Sequence, residues 1–217
     1  MLLCSQMIQT NTMSIPEYLS QHSTDKVLTL VGPLRSDAAI GTALAEPVIF
    51  VDGGARSRLS GEGIAVGDGD SAECIMDIFL DPDKDFSDLA FTLNQIPVDF
   101  TTVHLSGFLG GRRDHELFNL GEVYRFLKAR PGNGRATFDE KISGYAAGQW
   151  EIERHGGFSL AVLEDTRLTL TGNVRYSCAQ PTRFGTLESL GLSNVGSGSI
   201  YIDCDAPVYV LLEEFQP

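Results

Sequence analysis

What the chain lacks narrows it first. It has no GxxxxGK[S/T] phosphate loop and no GxGxxG dinucleotide fingerprint. If it handles phosphates, it must do so through metal ions and backbone amides rather than a phosphate-loop lysine. No apolar run approaches the roughly 20 residues that a membrane-spanning helix needs, so no membrane association is expected. Basic residues are scarce, 16 Lys and Arg against 29 Asp and Glu, for a formal net charge of -13. That disfavours nucleic acid as a partner, because phosphate backbones need a basic surface. A nucleotide substrate is not excluded, since Mg2+ can lie between carboxylate and phosphate. The charge by itself also suits a solvated acidic surface.

Cysteine is sparse too. Cys4, Cys74, Cys178 and Cys204 stand far apart and form no CxxC pair, which argues against a zinc site. They read as reduced thiols, in keeping with a cytoplasmic location. The four histidines show no metal-ligand spacing, and no Ser-His-Asp signature is present. The start of the chain has neither a basic n-region nor a long apolar core, so it is a poor signal peptide. Residues 1–25 read as an N-terminal extension, expected to be partly without order, with Met7 and Met13 as alternative starts.

The 217 residues, 42% of them apolar, suffice for one large domain or two modest ones with a sizeable core. Two textures divide them. Over residues 26–133, apolar runs such as Val27–Val31, Val48–Val51 and Thr102–Leu105 alternate with helical spacing over Phe86–Gln95 and His115–Lys128. In the second helix Leu117, Leu120, Val123, Tyr124 and Leu127 share one face. Strands alternating with helices imply parallel βαβ units. The turn-rich stretch Pro131-Gly132-Asn133-Gly134 reads as a linker. Beyond it, residues 134–217 hold short runs separated by Gly or Pro: Gln149–Glu153, Ser159–Leu163, Arg167–Thr171, Ser199–Asp203 and Val208–Leu212. The expected fold is therefore a parallel-sheet α/β domain followed by an antiparallel β-sandwich.

Four clusters carry candidate chemistry. Asp52-Gly53-Gly54-Ala55 follows a strand at the edge where open α/β sheets bind ligands, though it also reads as an ordinary strand-to-helix turn. In Gly67-Asp68-Gly69-Asp70-Ser71, extended backbone would aim Asp68 and Asp70 at one point, and a bound Mg2+ would relieve their repulsion. The pentapeptide reads equally as a surface turn. Lys84-Asp85-Phe86-Ser87-Asp88 opens a helix, with Asp85 as N-cap and Asp88 at the third helical position. Read chemically, Asp88 is a third metal carboxylate and Lys84 a phosphate contact. Finally, Gly110-Gly111-Arg112-Arg113-Asp114-His115 joins a strand to the long helix. Amides at such a helix start bind anions, an arginine can clamp phosphate, and Asp114 also reads as an N-cap.

Together, and in this order, these motifs resemble the thiamin pyrophosphokinase family. The second half adds Leu170–Tyr176, Phe184–Leu187 and Leu192-Ser193-Asn194, which look like that family's C-terminal signature. The resemblance spans about Val27 to Leu212. It implies a homodimer whose α/β domain (26–133) binds the nucleotide and whose β-sandwich domain (134–217) binds thiamin. The implied reaction moves pyrophosphate from ATP to the thiamin hydroxyl, with Mg2+ as cofactor and AMP as by-product. By resemblance Asp68, Asp70 and Asp88 hold Mg2+, and Asp52 and Asp114 lie at the substrate end; the residues' own chemistry makes Lys84, the amides at Gly110 and Gly111, and Arg112 or Arg113 the phosphate contacts. Asp114 is the candidate for orienting the hydroxyl, and Ser193 and Asn194 for contacting thiamin across the dimer. The run Tyr176-Ser177-Cys178-Ala179-Gln180 departs from the aromatic-Pro-Leu pattern frequent in the family. That leaves two alternatives open: a pyrophosphokinase for another alcohol, and a binding protein without turnover.

Overall fold

Four consecutive apolar residues can form a strand only if both faces of that strand are covered. Val48–Val51 (β2) meets this condition, with all four residues buried, and Val27–Val31 (β1) nearly does. The structure, a computed structural model, describes residues 13–22, 25–35, 44–59, 62–70 and 76–212. In it β1 and β2 pair in parallel at Thr29↔Val48. Ile64–Gly67 (β3) and Ile78–Phe79 (β4) extend the parallel ladder on one side, and Thr102–Ser106 (β5) and Arg135–Phe138 (β6) on the other. The chain thus leaves β1 toward β2 on one flank and returns to β5 on the other. The loops after β1, β2, β3 and β5 consequently open at a topological switch point.

Two helices serve these strands. Asp88–Gln95 (α2) buries Leu89, Ala90 and Leu93. Its N-cap is Ser87, whose hydroxyl accepts from the Ala90 amide at 3.1 Å. The expected start with Asp85 as cap is therefore replaced by one two residues later, with Asp88 as the first helical residue. Arg113–Lys128 (α3) buries Val123, Tyr124, Phe126 and Leu127, but Leu117 is exposed. The apolar face expected from the spacing is buried only over the second half of α3. The N-terminal extension supplies an unexpected element, Ile15–His22 (α1), with Ile15, Tyr18 and Leu19 buried. Its capping signal is legible in Ser14-x-x-Glu17: the Glu17 carboxylate accepts from the Ser14 amide at 2.8 Å. Tyr18 fastens the helix to β2 by donating to the Val48 carbonyl at 3.1 Å. Residues 1–12 lie outside the described ones.

After β6 every pairing is antiparallel. The strands are Ile142–Tyr145 (β7), Gly148–Ala161 (β8), Thr166–Val174 (β9), Cys178–Phe184 (β10), Asn194–Cys204 (β11) and Val208–Leu212 (β12). The runs Gln149–Glu153 and Ser159–Leu163 fall largely on the single long β8. Strand β6 pairs in parallel with β5 and antiparallel with β7, so one hydrogen-bonded sheet of 12 strands runs in the order β10-β9-β11-β8-β12-β7-β6-β5-β1-β2-β3-β4. One apolar cluster, from Ile15 and Leu28 to Val208 and Val210, spans both halves.

Arg130 ties the corner where the halves meet. Its buried guanidinium donates to the carbonyls of Phe100 (2.7 Å), Phe126 (2.9 Å), Ile96 (2.9 Å) and Pro97 (3.0 Å). It also stacks 3.6 Å from the Phe126 ring centroid. Burial pulls its pKa down to about 10, which still leaves it charged at neutral pH. Among the described residues, no helix is long and apolar enough to cross a membrane.

Candidate active site

The acidic motifs meet where the loops after the parallel strands open. Asp52 follows β2 directly, with φ of 52°. Such a left-handed backbone is tolerated by Asp more readily than by most side chains. The 3-10 turn Asp52–Ser57 that it starts packs tightly on β1: a Cβ added at Gly54 would stand 2.0 Å from the Val31 carbonyl oxygen. Gly67, closing β3, has no side chain to push away Asp52 or Asp88, each 3.1 Å from where its Cβ would be. Asp68 and Asp70 then leave β3 through a turn in which Gly69 takes a φ of +78°, and the Asp70 amide donates to Asp68 Oδ1 at 3.2 Å. As a result, one carboxylate oxygen from each of Asp52, Asp68 and Asp70 lies within 4.8 Å of the others.

The fourth carboxylate behaves differently. Asp88 is buried at the start of α2 and pairs with Lys84, Nζ to Oδ1 3.0 Å. The same ammonium reaches Asp68 Oδ2 at 2.6 Å. Burial raises the Asp88 pKa, against the pull of Lys84. The hydrogen bond from Lys84 lowers that of Asp68. Burial pulls Lys84 down, but its two carboxylates together outweigh that and leave it raised. Asp68 is therefore held as the anion and Lys84 as the cation near neutral pH, while burial shifts Asp88 toward its neutral form.

These residues line a cleft of about 350 Å³ with Pro33, Phe86, Phe108, Arg112, His115 and Asn119. Asn119 donates to the Phe108 carbonyl at 3.0 Å, which fixes the loop after β5 to α3. Arg112 is exposed and held by Asp114 through two bonds, Nε–Oδ1 3.1 Å and Nη2–Oδ2 2.5 Å. That clamp drops the Asp114 pKa to about 2. Of the other residues singled out by sequence at this loop, Gly110, Gly111, Arg113 and Asp114 are exposed and do not line the cleft. The two glycines take φ of +91° and +68°, and the Gly110 amide donates to Glu116 at 3.3 Å. Asp52 was sorted with the substrate contacts from sequence, but in space it groups with Asp68 and Asp70. The signal was its position at the end of a strand beside theirs. Phe86 and His115 lie inside motifs singled out by sequence and Asn119 in a run that resembles the family, though none of them was assigned a role; Pro33 carried no signal.

Ser193 and Asn194 stand elsewhere, at the head of β11. Asn194 is buried: its amide nitrogen donates to the Tyr176 carbonyl at 2.7 Å, and its oxygen accepts from the amides of Tyr176 (3.0 Å) and Val195 (2.8 Å). Its side chain pins the turn after β9. Ser193 is exposed, with φ of 57°, and its amide donates to Ser159 Oγ at 3.1 Å. Asn194 also borders an apolar pocket of about 130 Å³ lined by Leu160, Leu170, Tyr176, Cys178, Phe184 and Leu192, among others. Among the described residues, this pocket and the acidic cleft share none. Cys178 and Cys204 are free thiols, and burial pushes Cys204 up to about 11. Cys4 and Cys74 lie outside the described residues.

No protein-family model matches the sequence, and no curated protein matches it either. Solved structures do. Thiamine pyrophosphokinase from Bacillus subtilis superposes with a TM-score of 0.64 at 19% identity, covering 87% of this chain and all of its own. Thiamin pyrophosphokinase from Geobacillus thermodenitrificans gives 0.64 at 19% identity, over 88% of this chain and 99% of that one. The Candida albicans enzyme gives 0.67 at 14% identity, over 86% and 90%. The protein has a mixed 12-stranded sheet with an acidic cleft where the loops after its parallel strands open. More particularly, its fold is that of thiamin pyrophosphokinases.

Proposed function

We propose that the protein belongs to the thiamin pyrophosphokinase family and transfers pyrophosphate from ATP to the thiamin hydroxyl, giving thiamin diphosphate and AMP. The observation that carries this reading is the convergence of Asp52, Asp68 and Asp70, from loops after two different strands, in a cleft that also holds Lys84 and Arg112. Local sequence does not bring Asp52 to Asp68; only the fold does. In support, the fold is shared with enzymes that carry that name.

The donor set fits Mg2+. Three carboxylates offer hard oxygen ligands, and Mg2+ takes such ligands together with substrate phosphates. Asp52, Asp68 and Asp70 would hold it. Bound there, Mg2+ neutralises charge on the triphosphate oxygens and polarises the phosphorus under attack. Asp88 joins the ligand set by resemblance, but its carboxylate is engaged by Lys84, and we assign it to anchoring that lysine. Arg112, at the cleft mouth, binds the phosphate chain through its planar fork and exchanges Asp114 for phosphate oxygens. Exposed amides at Gly111 and the start of α3 add donors for the same anion. Lys84 balances charge at the transferred group.

In the reaction the thiamin hydroxyl oxygen bonds to the β-phosphorus in line with the bond that breaks, that from the β-phosphorus to the α,β-bridging oxygen. The bridging oxygen leaves with AMP, and the hydroxyl proton passes to solvent or a nearby carboxylate. A strong general base contributes little if the transition state is loose. The protein's main contribution is to align the two substrates and hold cationic charge against the phosphates. We assign residues 26–133 to nucleotide binding and 134–217 to thiamin binding, with Ser193 and the apolar pocket beside Asn194 facing the alcohol across a cytoplasmic homodimer. The substrates are small molecules, not nucleic acid.

The changed run Tyr176–Gln180 supplies three lining residues of that pocket, Tyr176, Ser177 and Cys178. This favours, as the second reading, a different heteroaromatic alcohol as acceptor. One assay separates the readings: incubate the protein with ATP, Mg2+ and thiamin, and follow AMP and thiamin diphosphate together. Equal yields support the first. AMP formed only with another alcohol supports the second, and no AMP with any alcohol, despite ligand binding, leaves a non-catalytic binder.

A further inference from the structure

Lys84 has only 8% of its side chain accessible, against 40% for Lys26 and 57% for Lys128 in their ion pairs. Lysine is almost never this buried unless paired, and ordering its four-carbon chain costs roughly 1.5–2 kcal/mol of rotamer freedom. Its head lies between Asp68 Oδ2 at 2.6 Å and Asp88 Oδ1 at 3.0 Å, on the rim of the Asp52–Asp68–Asp70 cluster. Four carboxylates line the cleft, and their mutual repulsion must be offset whether or not a metal is bound.

The two partners of Lys84 are not equivalent. Asp88 belongs to α2, is fixed there by the Ser87 cap, and lies outside the three-carboxylate cluster. Asp68 lies inside it. Both Asp68 oxygens are engaged, Oδ1 by the Asp70 amide and Oδ2 by the ammonium. A cation that takes Asp68 as a ligand must compete with Lys84 for it.

We propose that Lys84 is a built-in counter-ion: it fills the cation position at Asp68 in the metal-free protein and is displaced from Asp68, but not from Asp88, when a divalent ion binds. The inference rests on the reading of Asp52, Asp68 and Asp70 as a metal site. It adds a consequence. The ammonium, tethered by Asp88, stays in the cleft with one partner fewer, and an anion arriving with the metal meets it there. The site therefore disfavours a free divalent ion and favours the ion already carried on a polyphosphate, so metal and polyphosphate bind cooperatively.

The test is calorimetric titration of Mg2+ into the full-length protein without nucleotide, for wild type, Lys84→Met and Lys84→Arg. Lys84→Met, which cannot pair, is expected to bind Mg2+ about tenfold tighter, the worth of one charge-assisted hydrogen bond no longer competing. Lys84→Arg is expected to stay near wild type. In EDTA the Met variant should melt lower than wild type and gain more on adding Mg2+, since a ligand stabilises in proportion to its occupancy. Equal or weaker Mg2+ binding by Lys84→Met, with wild-type binding intact, overturns the role of Lys84 and leaves the metal site standing. No Mg2+ binding by any of the three overturns both. Should the Met variant fail to fold, the 15N resonance of the Lys84 ammonium in the wild type decides. A shift on adding Mg2+ supports displacement, and an unchanged resonance at saturating Mg2+ overturns it.

Discussion

In the cleft above the parallel strands, four aspartates, a lysine and an arginine crowd around a space of about 350 Å³. The pocket among the antiparallel strands, about 130 Å³, is lined mainly by leucines, Tyr176, Cys178 and Phe184, and its one buried amide, Asn194, is spent on backbone. The first is a place for charge and the second a place for shape. Parallel strands put successive loops side by side at one edge, so short polar motifs far apart in sequence converge there. Antiparallel strands with one buried face, such as β11 with its alternating burial, present a surface whose hollows depend on packing between strands. The proposed function thus assigns chemistry and selectivity to different halves.

The sharpest test of that division is Asp70→Asn. Asp70 is exposed, so its loss should leave thermal stability unchanged while lowering Mg2+-dependent AMP formation by about 10³-fold, the scale on which transition-state charge stabilisation is lost. Turnover like wild type would break the assignment of the cleft to metal. Next, Leu192→Ala should act on the other half. Leu192 lines the apolar pocket and is 59% exposed, so the variant should fold normally, raise KM for the alcohol by about tenfold and leave kcat nearly unchanged. A fall in kcat with constant KM would place chemistry in the pocket.

A smaller effect is expected from Asp114→Asn. Asp114 is exposed, does not line the cleft and clamps Arg112. The variant should change KM for ATP by only a few-fold, as a positioning partner would. A loss matching that of Asp70→Asn would show that Asp114 meets the reacting hydroxyl after all. The smallest effect lies outside both sites. His104 in β5 contacts Thr137 at 2.7 Å, and burial lowers its pKa. Its folded pKa is below the unfolded one, so its contribution is fully present above the unfolded value of 6.5 and is lost as pH falls through the folded one. Urea unfolding at pH 7.5 and pH 5.5 should therefore show His104→Gln losing less stability than wild type over that interval, by under about 1.4 kcal/mol. Equal losses would mean that His104 does not titrate there.

Much of the cleft could be read before the fold. Asp68, Asp70, Lys84, Asp88 and Arg112 all line it, because each sits in a short motif at the end of a strand or the start of a helix, where backbone direction is set locally. What could not be read was how they pair. The position of Asp52 beside Asp68 depends on β2 and β3 being neighbours in register at Val51↔Val66. The start of α2 was missed by two residues because Ser87 rather than Asp85 offers the cap, and that of α3 by two because Arg112 holds the cap position without a side-chain bond and Asp114 lies inside the helix. Asn194, a thiamin contact by resemblance, borders the apolar pocket, and only the structure shows that its side chain is also bonded to the backbone of Tyr176 and Val195.

The sequence by itself determined the alternation of buried strands with helices up to Gly134, the antiparallel runs after it, and the acidic turns at the strand ends. These follow from hydrophobic period and from the backbone preferences of Gly, Asp and Ser. Only the tertiary structure decided that both halves share one sheet through β6, that Asp52 joins Asp68 and Asp70, and that Lys84 stands between Asp68 and Asp88. Those outcomes depend on contacts between residues far apart in the chain. The energies that select them, burial against ion pairing in a crowded cleft, are set by the neighbours that folding brings together.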